Sequence, residues 1–217
     1  LFADGTVTGW RVVNGEGDGL PGLVVDRYAD VAVVKPDGPV ADAFWDAAAI
    51  GRWLAARLPV ARVYLRRRSR GGAEGEPLIG EVPGPVTIRE GAAAIAVDVV
   101  HGQKTGFFLD QREHRLRVGA LSRGRRVLNV FGYTGGFSIH AGLGGATHVT
   151  TVDLAAPAIA QADASWRMNG LPAGAHRGVA ADAFAFLDGA DERWDLVVLD
   201  PPAFAPSRQA VPQALAA

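Results

Sequence analysis

The chain has 217 residues, 48% hydrophobic and 21% charged, and its 22 basic and 23 acidic side chains leave a net charge of −1. That balance excludes a disordered polyelectrolyte and a generally polycationic nucleic-acid binder, though not a local basic site. The lack of any cysteine excludes a disulfide scaffold, thiolate metal sites and a cysteine nucleophile within these residues. No run approaches the ~18 apolar residues of a membrane span and no signal pattern opens the chain, so the expectation is a cytoplasmic protein with no membrane partner.

Residues 1–100 read as strands and turns around one helix, a small α+β domain. Val12-Val13 and Leu23-Val24-Val25 flank a turn-rich stretch from Asn14 to Gly22, and Val31 to Val34 is a third apolar run stopped by Pro36-Asp37-Gly38. Phe44, Ala47, Ala48, Trp53, Leu54 and Leu58 recur at helical spacing before Pro59. Val60 to Leu65 predicts a strand, with the basic run Arg66, Arg67, Arg68 and Arg70 in a loop after it. Arginine suits bidentate phosphate contacts, so this loop is a candidate RNA contact; a solvated loop explains it equally well. Val86 to Ile88 and Ala94 to Val97 predict a hairpin around Glu90-Gly91.

From residue 101 to 217 the rhythm becomes that of a second domain. Gln111 to Leu121 is helical, and then strands alternate with helices. The predicted strands are Val127 to Phe131, Thr147 to Val152, His176 to Ala180 and Trp194 to Leu199. Their helices are Gly135 to Leu143, Ala155 to Met168 and Ala183 to Leu187. Such alternation implies parallel βαβ units, an α/β doubly wound sheet, and ligands beyond the carboxyl ends of its strands.

The chemically suggestive residues fall at those ends. In Asn129-Val130-Phe131-Gly132-Tyr133-Thr134-Gly135-Gly136 a buried strand runs through a small-residue turn into a helix, where backbone can approach an anionic or nucleoside ligand closely. This makes Phe131, Tyr133, Thr134 and Gly135 cofactor candidates. Asp153 ends the next strand 18 residues after Gly135, placed to accept ribose hydroxyls. Asp182 reads either as an acceptor for an adenine amino group or as a helix N-cap. Asp200, stiffened by Pro201-Pro202, points a carboxylate into the cleft and is both a cofactor and a catalytic candidate. These features suit NAD or S-adenosylmethionine, but the turn lacks the G-x-G-x-x-G spacing of NAD sites. Upstream, the eleven residues Gly102 to Arg112 pack Lys104, Asp110 and Arg112 around Phe107 and Phe108, which either stack on a base or fill the core. The five histidines show no metal-ligand spacing, and no metal is expected.

Together these residues resemble the bacterial 23S ribosomal RNA large-subunit methyltransferase family I, S-adenosylmethionine-dependent enzymes that methylate cytosine at C5. Val13 to Tyr28, including Asp26, looks like that family's linking-domain entry. Gly102-Gln103-Lys104-Thr105-Gly106-Phe107-Phe108-Leu109-Asp110-Gln111-Arg112 is similar to its most specific signature. Phe131 to Gly136, Asp153, Asp182 and Asp200-Pro201-Pro202 match its later motifs, although Ala203 stands where the family often has lysine. The resemblance implies a class I, Rossmann-like methyltransferase sheet, truncated here, after a small α+β linking domain. It implies S-adenosylmethionine as cofactor, with Thr105, Phe107, Phe108, Asp110 and Arg112 closing over it. It implies ribosomal RNA as partner, with Lys104 a further RNA contact. It also implies an RNA-binding PUA domain before Leu1, and later strands carrying a cysteine nucleophile. Without them, Leu196 to Leu199 would be an apolar edge open to aggregation or homodimer formation. The stretch Ser138 to Asp153 also looks like guanine-methylating ribosomal RNA enzymes, so a guanine-directed enzyme is one alternative. An NAD-dependent oxidoreductase and a non-catalytic RNA-binding module are the others.

Overall fold

A computed structural model describes residues 5–69, 72–82 and 84–203, and of residues 68, 69 and 72–74 the backbone alone. The chain forms two compact units, Leu1–Arg112 and Glu113–Ala217.

In the first unit, strands β1 (Gly9–Asn14), β2 (Leu23–Tyr28), β3 (Val31–Pro36), β4 (Arg62–Ser69) and β5 (Gly72–Ile79) form one sheet in chain order. All neighbours are antiparallel except β3 and β4, which run parallel from Val31↔Arg62. A parallel pair needs a crossover, and α1 (Pro39–Phe44) and α2 (Ala47–Arg57) supply it. The single helix expected from Phe44 to Leu58 is thus two. Trp45 is extended, and the Asp46 side chain caps α2 by accepting from the Ala49 N–H at 2.9 Å. Phe44 and Trp53, counted in the helical periodicity, are 74% and 57% exposed, and α2 buries Leu54 instead. Leu54 packs with Leu23, Val25, Ala32, Val34, Val63 and Leu65 on one face of the sheet. The hairpin β6 (Val86–Glu90) and β7 (Ala93–Val97) forms as expected.

The basic run is not a loop. Arg66, Arg67 and Arg68 lie within β4, which continues to Ser69 because β5 pairs with it as far as Ser69↔Gly72. Arg70 lies outside the described residues, as does the side chain of Arg68. The sequence offered no apolar alternation there to mark either strand.

The second unit opens with α3 (Arg112–Leu121). It continues through β8 (Arg126–Val130), α4 (Gly136–Leu143), β9 (His148–Asp153), α5 (Ala156–Met168), β10 (His176–Ala180), α6 (Ala183–Asp188) and β11 (Leu196–Leu199). Each element falls within a residue or two of the sequence expectation. The four strands form a parallel sheet in the order β10-β9-β8-β11. Alternation along β8 divides its faces. Asn129 points toward Ser138 of α4, whereas Leu128 and Val130 pack with Val152 and with Ala183 of α6. Helices therefore cover both faces, the doubly wound, Rossmann-like arrangement the sequence predicted. Val130 pairs with Val152 and Leu199, and Asp153 with Ala180, so the carboxyl ends of all four strands are level. The order reverses between β8 and β11, which places the binding crevice there.

Candidate functional site

The crevice is built on a strained turn. Phe131 and Tyr133 adopt φ of +58° and +47°, and Gly135 adopts +75°. Left-handed backbone costs an L-residue about 1–2 kcal/mol, so two non-glycine residues in one turn are held there by what surrounds them. Gly132 donates to the Val152 carbonyl and Gly135 to that of Gly132, both at 2.9 Å. A Cβ on Gly132 would lie 2.5 Å from Thr151 Cγ2 and 2.9 Å from Asn129 Nδ2, and one on Gly135 would lie 2.6 Å from Ala162 Cβ. The turn rests directly on the sheet.

Asp153 is tied to this turn. One carboxylate oxygen accepts from the Tyr133 N–H at 2.8 Å and the other from the Ala155 N–H at 2.9 Å. Each oxygen keeps a lone pair for a further donor, which suits it to a pair of hydroxyls. Thr134 is 3% exposed, and its hydroxyl is buried with no hydrogen-bond partner. An unpartnered hydroxyl costs about 1–3 kcal/mol unless a ligand satisfies it, so the turn fits a polar group seated against it. Asp182 does serve as N-cap of α6, accepting from the Ala185 N–H at 2.9 Å, and is exposed. Asp200 is exposed just past β11. The second unit thus brings Phe131, Tyr133, Thr134, Gly135 and Asp153 together, with Asp182 and Asp200 at the same edge of the sheet.

The remaining predicted residues belong to the first unit, whose contact boundary at Arg112 takes in the segment expected to open the second domain. The reason is a buried polar node. Thr105 Oγ1 donates to Asp26 Oδ2 at 2.6 Å and accepts from the Tyr28 hydroxyl at 2.8 Å. The Phe107 N–H donates to the same phenol oxygen at 3.2 Å. Asp26 also takes Arg11 bidentately, at 2.9 and 3.0 Å. Burial, with the Asp26 charge, pushes the Tyr28 phenol up, so it stays a donor. Phe107 is 4% exposed and fills the core of this unit. The Lys104 ammonium lies 4.4 Å from the Phe108 ring centroid and donates to both Asp110 oxygens, at 3.0 and 2.9 Å. Burial pushes the Asp110 carboxyl up, but the hydrogen bonds and charge of Lys104 outweigh it and hold it below its ordinary range.

Trp10, Arg11, Lys35, Lys104, Asp110 and Arg112 line a cleft of about 470 Å³ in this unit. Trp10, Arg11 and Lys35 had no motif to announce them; β1 to β3 bring them beside the 104–112 segment. Arg66 is 5% exposed and donates to the carbonyls of Val99 and Gly102. Arg67 pairs with Asp42 at 2.9 Å and Glu76 at 2.7 Å. Among the described residues no cluster of His, Asp or Glu forms a metal site, and no helix is long and apolar enough to cross a membrane.

A level-ended parallel sheet with a glycine turn and an acid after the second strand defines a Rossmann-like unit for a nucleoside cofactor. The chain belongs to the S-adenosylmethionine-dependent methyltransferase family, whose model matches residues 45–214. It is 44% identical to a ribosomal RNA large subunit methyltransferase of Deinococcus radiodurans over 94% of this chain and 53% of that protein. It is 38% identical to ribosomal RNA large subunit methyltransferase I of Shewanella denitrificans over 96% and 54%. The chain thus spans about half the length of these curated relatives. A crystal structure of a protein described as a methyltransferase, complexed with SAH, superposes with a TM-score of 0.82 at 27% identity, over 94% of this chain and 54% of that one. The oxidoreductase alternative finds no support in these matches.

Proposed function

We propose that this chain is the cofactor-binding part of a methyltransferase acting on large-subunit ribosomal RNA, with cytosine C5 as the acceptor atom. The observation that carries the reading is the left-handed turn Phe131–Gly135, with its unpartnered Thr134 hydroxyl beside Asp153. When bound, S-adenosylmethionine supplies an electrophilic methyl group. The turn and the Thr134 hydroxyl hold the amino-acid end of that molecule, Asp153 accepts the ribose hydroxyls, and Asp182 faces the adenine edge. Asp200 and Pro201-Pro202 border the place of the acceptor base. Methyl transfer is an in-line displacement, so these side chains contribute proximity and orientation. The cleft of the first unit, with Lys35, Lys104 and Arg112 on its walls, is suited to the RNA backbone.

Cytosine C5 is a poor nucleophile that a thiolate activates by covalent attack, and these 217 residues hold no cysteine. A second reading, transfer to a guanine nitrogen, needs no thiol and rests on the stretch Ser138 to Asp153, which also looks like guanine-methylating ribosomal RNA enzymes. Calorimetric titration of the chain with SAH and with NAD tests the cofactor: SAH is expected to bind and NAD not, and the reverse would overturn the proposal. Nucleoside analysis of ribosomal RNA from a deletion strain decides the acceptor, the loss of 5-methylcytidine supporting C5 and the loss of a methylguanosine the alternative.

A further inference from the structure

Beneath the turn runs a line of polar side chains that cofactor binding does not use. Asn129 Nδ2 donates to Ser138 Oγ at 2.9 Å, and the Ser138 and Thr151 hydroxyls meet at 2.6 Å. Thr151 Oγ1 meets His176 Nε2 at 2.8 Å, and His176 Nδ1 meets Asp163 Oδ1 at 2.9 Å. β8, α4, β9, β10 and α5 contribute one residue each. Asn129, Ser138 and Thr151 are buried, the His176 side chain is 3% exposed, and Trp166 stacks on the imidazole at 4.7 Å.

The two ends of this chain orient every link. The Asp163 carboxylate can only accept, so Nδ1 of His176 carries the proton and Nε2 of the neutral ring accepts from Thr151. Thr151 then accepts from Ser138, and Ser138 from the Asn129 amide. Each hydroxyl donates once and accepts once. A doubly protonated His176 would donate from Nε2, forcing the Thr151 proton toward Ser138, whose oxygen then accepts from both Thr151 and Asn129 Nδ2 while its own proton loses the acceptor it had in Thr151. The Ser138 hydroxyl would have to swing away from Thr151. Asn129 and Thr151 are also the floor of the turn, the two side chains that a Cβ on Gly132 would strike.

We propose that His176, held neutral and oriented by Asp163, is a positioning residue for the cofactor turn: its protonation reverses the Thr151 hydroxyl and displaces that of Ser138 in the side-chain floor under Gly132, so that affinity for the nucleoside cofactor falls in acid. This rests on the reading of the turn as the cofactor site. Among the described residues, Asp163 of α5 bonds the imidazole and His148 of β9 acts on it through its charge; its neighbour Arg177 pairs with Glu192. Burial pushes His176 below its ordinary value, the attraction of Asp163 opposes this, and His148 adds to the lowering. The ring is therefore neutral at neutral pH.

The test uses the 217-residue chain with SAH as probe, titrated calorimetrically at pH 7 and at successively lower pH until the His176 ring protonates, while nitrogen-15 spectra follow that ring and the amides of residues 132–136. Wild type is expected to lose about tenfold in affinity as His176 titrates, the cost of one buried hydrogen bond, with the turn amides shifting in step. In His176→Gln the side-chain oxygen accepts from Thr151 and the amide donates to Asp163, so affinity should stay near wild type at pH 7 and lose the acid fall. Ser138→Ala cuts the chain while leaving His176 in place, and should weaken binding at pH 7 and abolish the pH dependence. An acid fall in His176→Gln equal to that of wild type would overturn the proposal. So would a wild-type profile in Ser138→Ala, or turn amides indifferent to the ring. Amides that track the ring while SAH fails to bind at any pH would support the hydrogen-bond chain and overturn the cofactor reading.

Discussion

At the scale of single residues, the site is defined by groups whose local chemistry is incomplete. Thr134 carries a buried hydroxyl with nothing to bond, and Phe131 and Tyr133 hold backbone that glycine would adopt at less cost. Thr134→Val removes the orphaned hydroxyl at almost constant volume. It should raise the stability of the ligand-free chain by about 1 kcal/mol and weaken SAH binding several-fold. Thermal melts with and without SAH check both signs, and a variant that is less stable yet binds normally would contradict the role given to this side chain. Asp26 and Thr105 show the opposite condition. They lie 79 residues apart in the chain, and each completes the other's hydrogen bonding. The two segments that carry the family resemblance thus meet in one polar node, where Thr105 joins Asp26 to Tyr28 within the first unit.

At the scale of elements, context overrode composition. Four arginines in a row of five read as a loop, yet β4 carries Arg66 into the interior, where its guanidinium satisfies carbonyls after β7. Arg66→Ala would leave those carbonyls unbonded and a void behind them, and should cost about 2–3 kcal/mol. Denaturant unfolding measures it, and a loss below ~0.5 kcal/mol, the range of ordinary surface substitutions, would show that the strand does not depend on this contact. The second unit behaved otherwise. Its strands and helices were legible because each βαβ turn is punctuated by glycine or aspartate and the strands β8 and β11 are largely apolar. The polar line from Asn129 to Asp163 was not legible at all, since its members are spread over five elements and share no spacing. His176 links that line to stability as well as to binding. Its folded pKa is depressed, so its contribution is fully present above the unfolded pKa and is lost as pH falls through the folded value.

At the scale of the whole molecule, β11 forms one margin of the parallel sheet among the described residues, with Val197 and Leu199 51% and 59% exposed. An exposed apolar edge next to a level parallel sheet invites strand pairing with a second copy. The 217-residue polypeptide taken by itself should therefore self-associate as its concentration rises, and Val197→Lys should shift light-scattering mass toward monomer. A monodisperse monomer at millimolar concentration would remove the basis for a homodimer. The sequence by itself determined the alternation of strands and helices, the strand-end acids and the glycine turn, because these are local: propensity, period and turn chemistry act within a few residues. Only the tertiary structure decided that Arg66 is interior, that Thr105 and Phe107 belong to the first unit, that Lys35 and Trp10 share a cleft, and that His176 joins Thr151 in the polar line below the turn. Those facts depend on which strands pair and which faces they bury, and contacts between residues far apart in the chain leave no periodic trace along it.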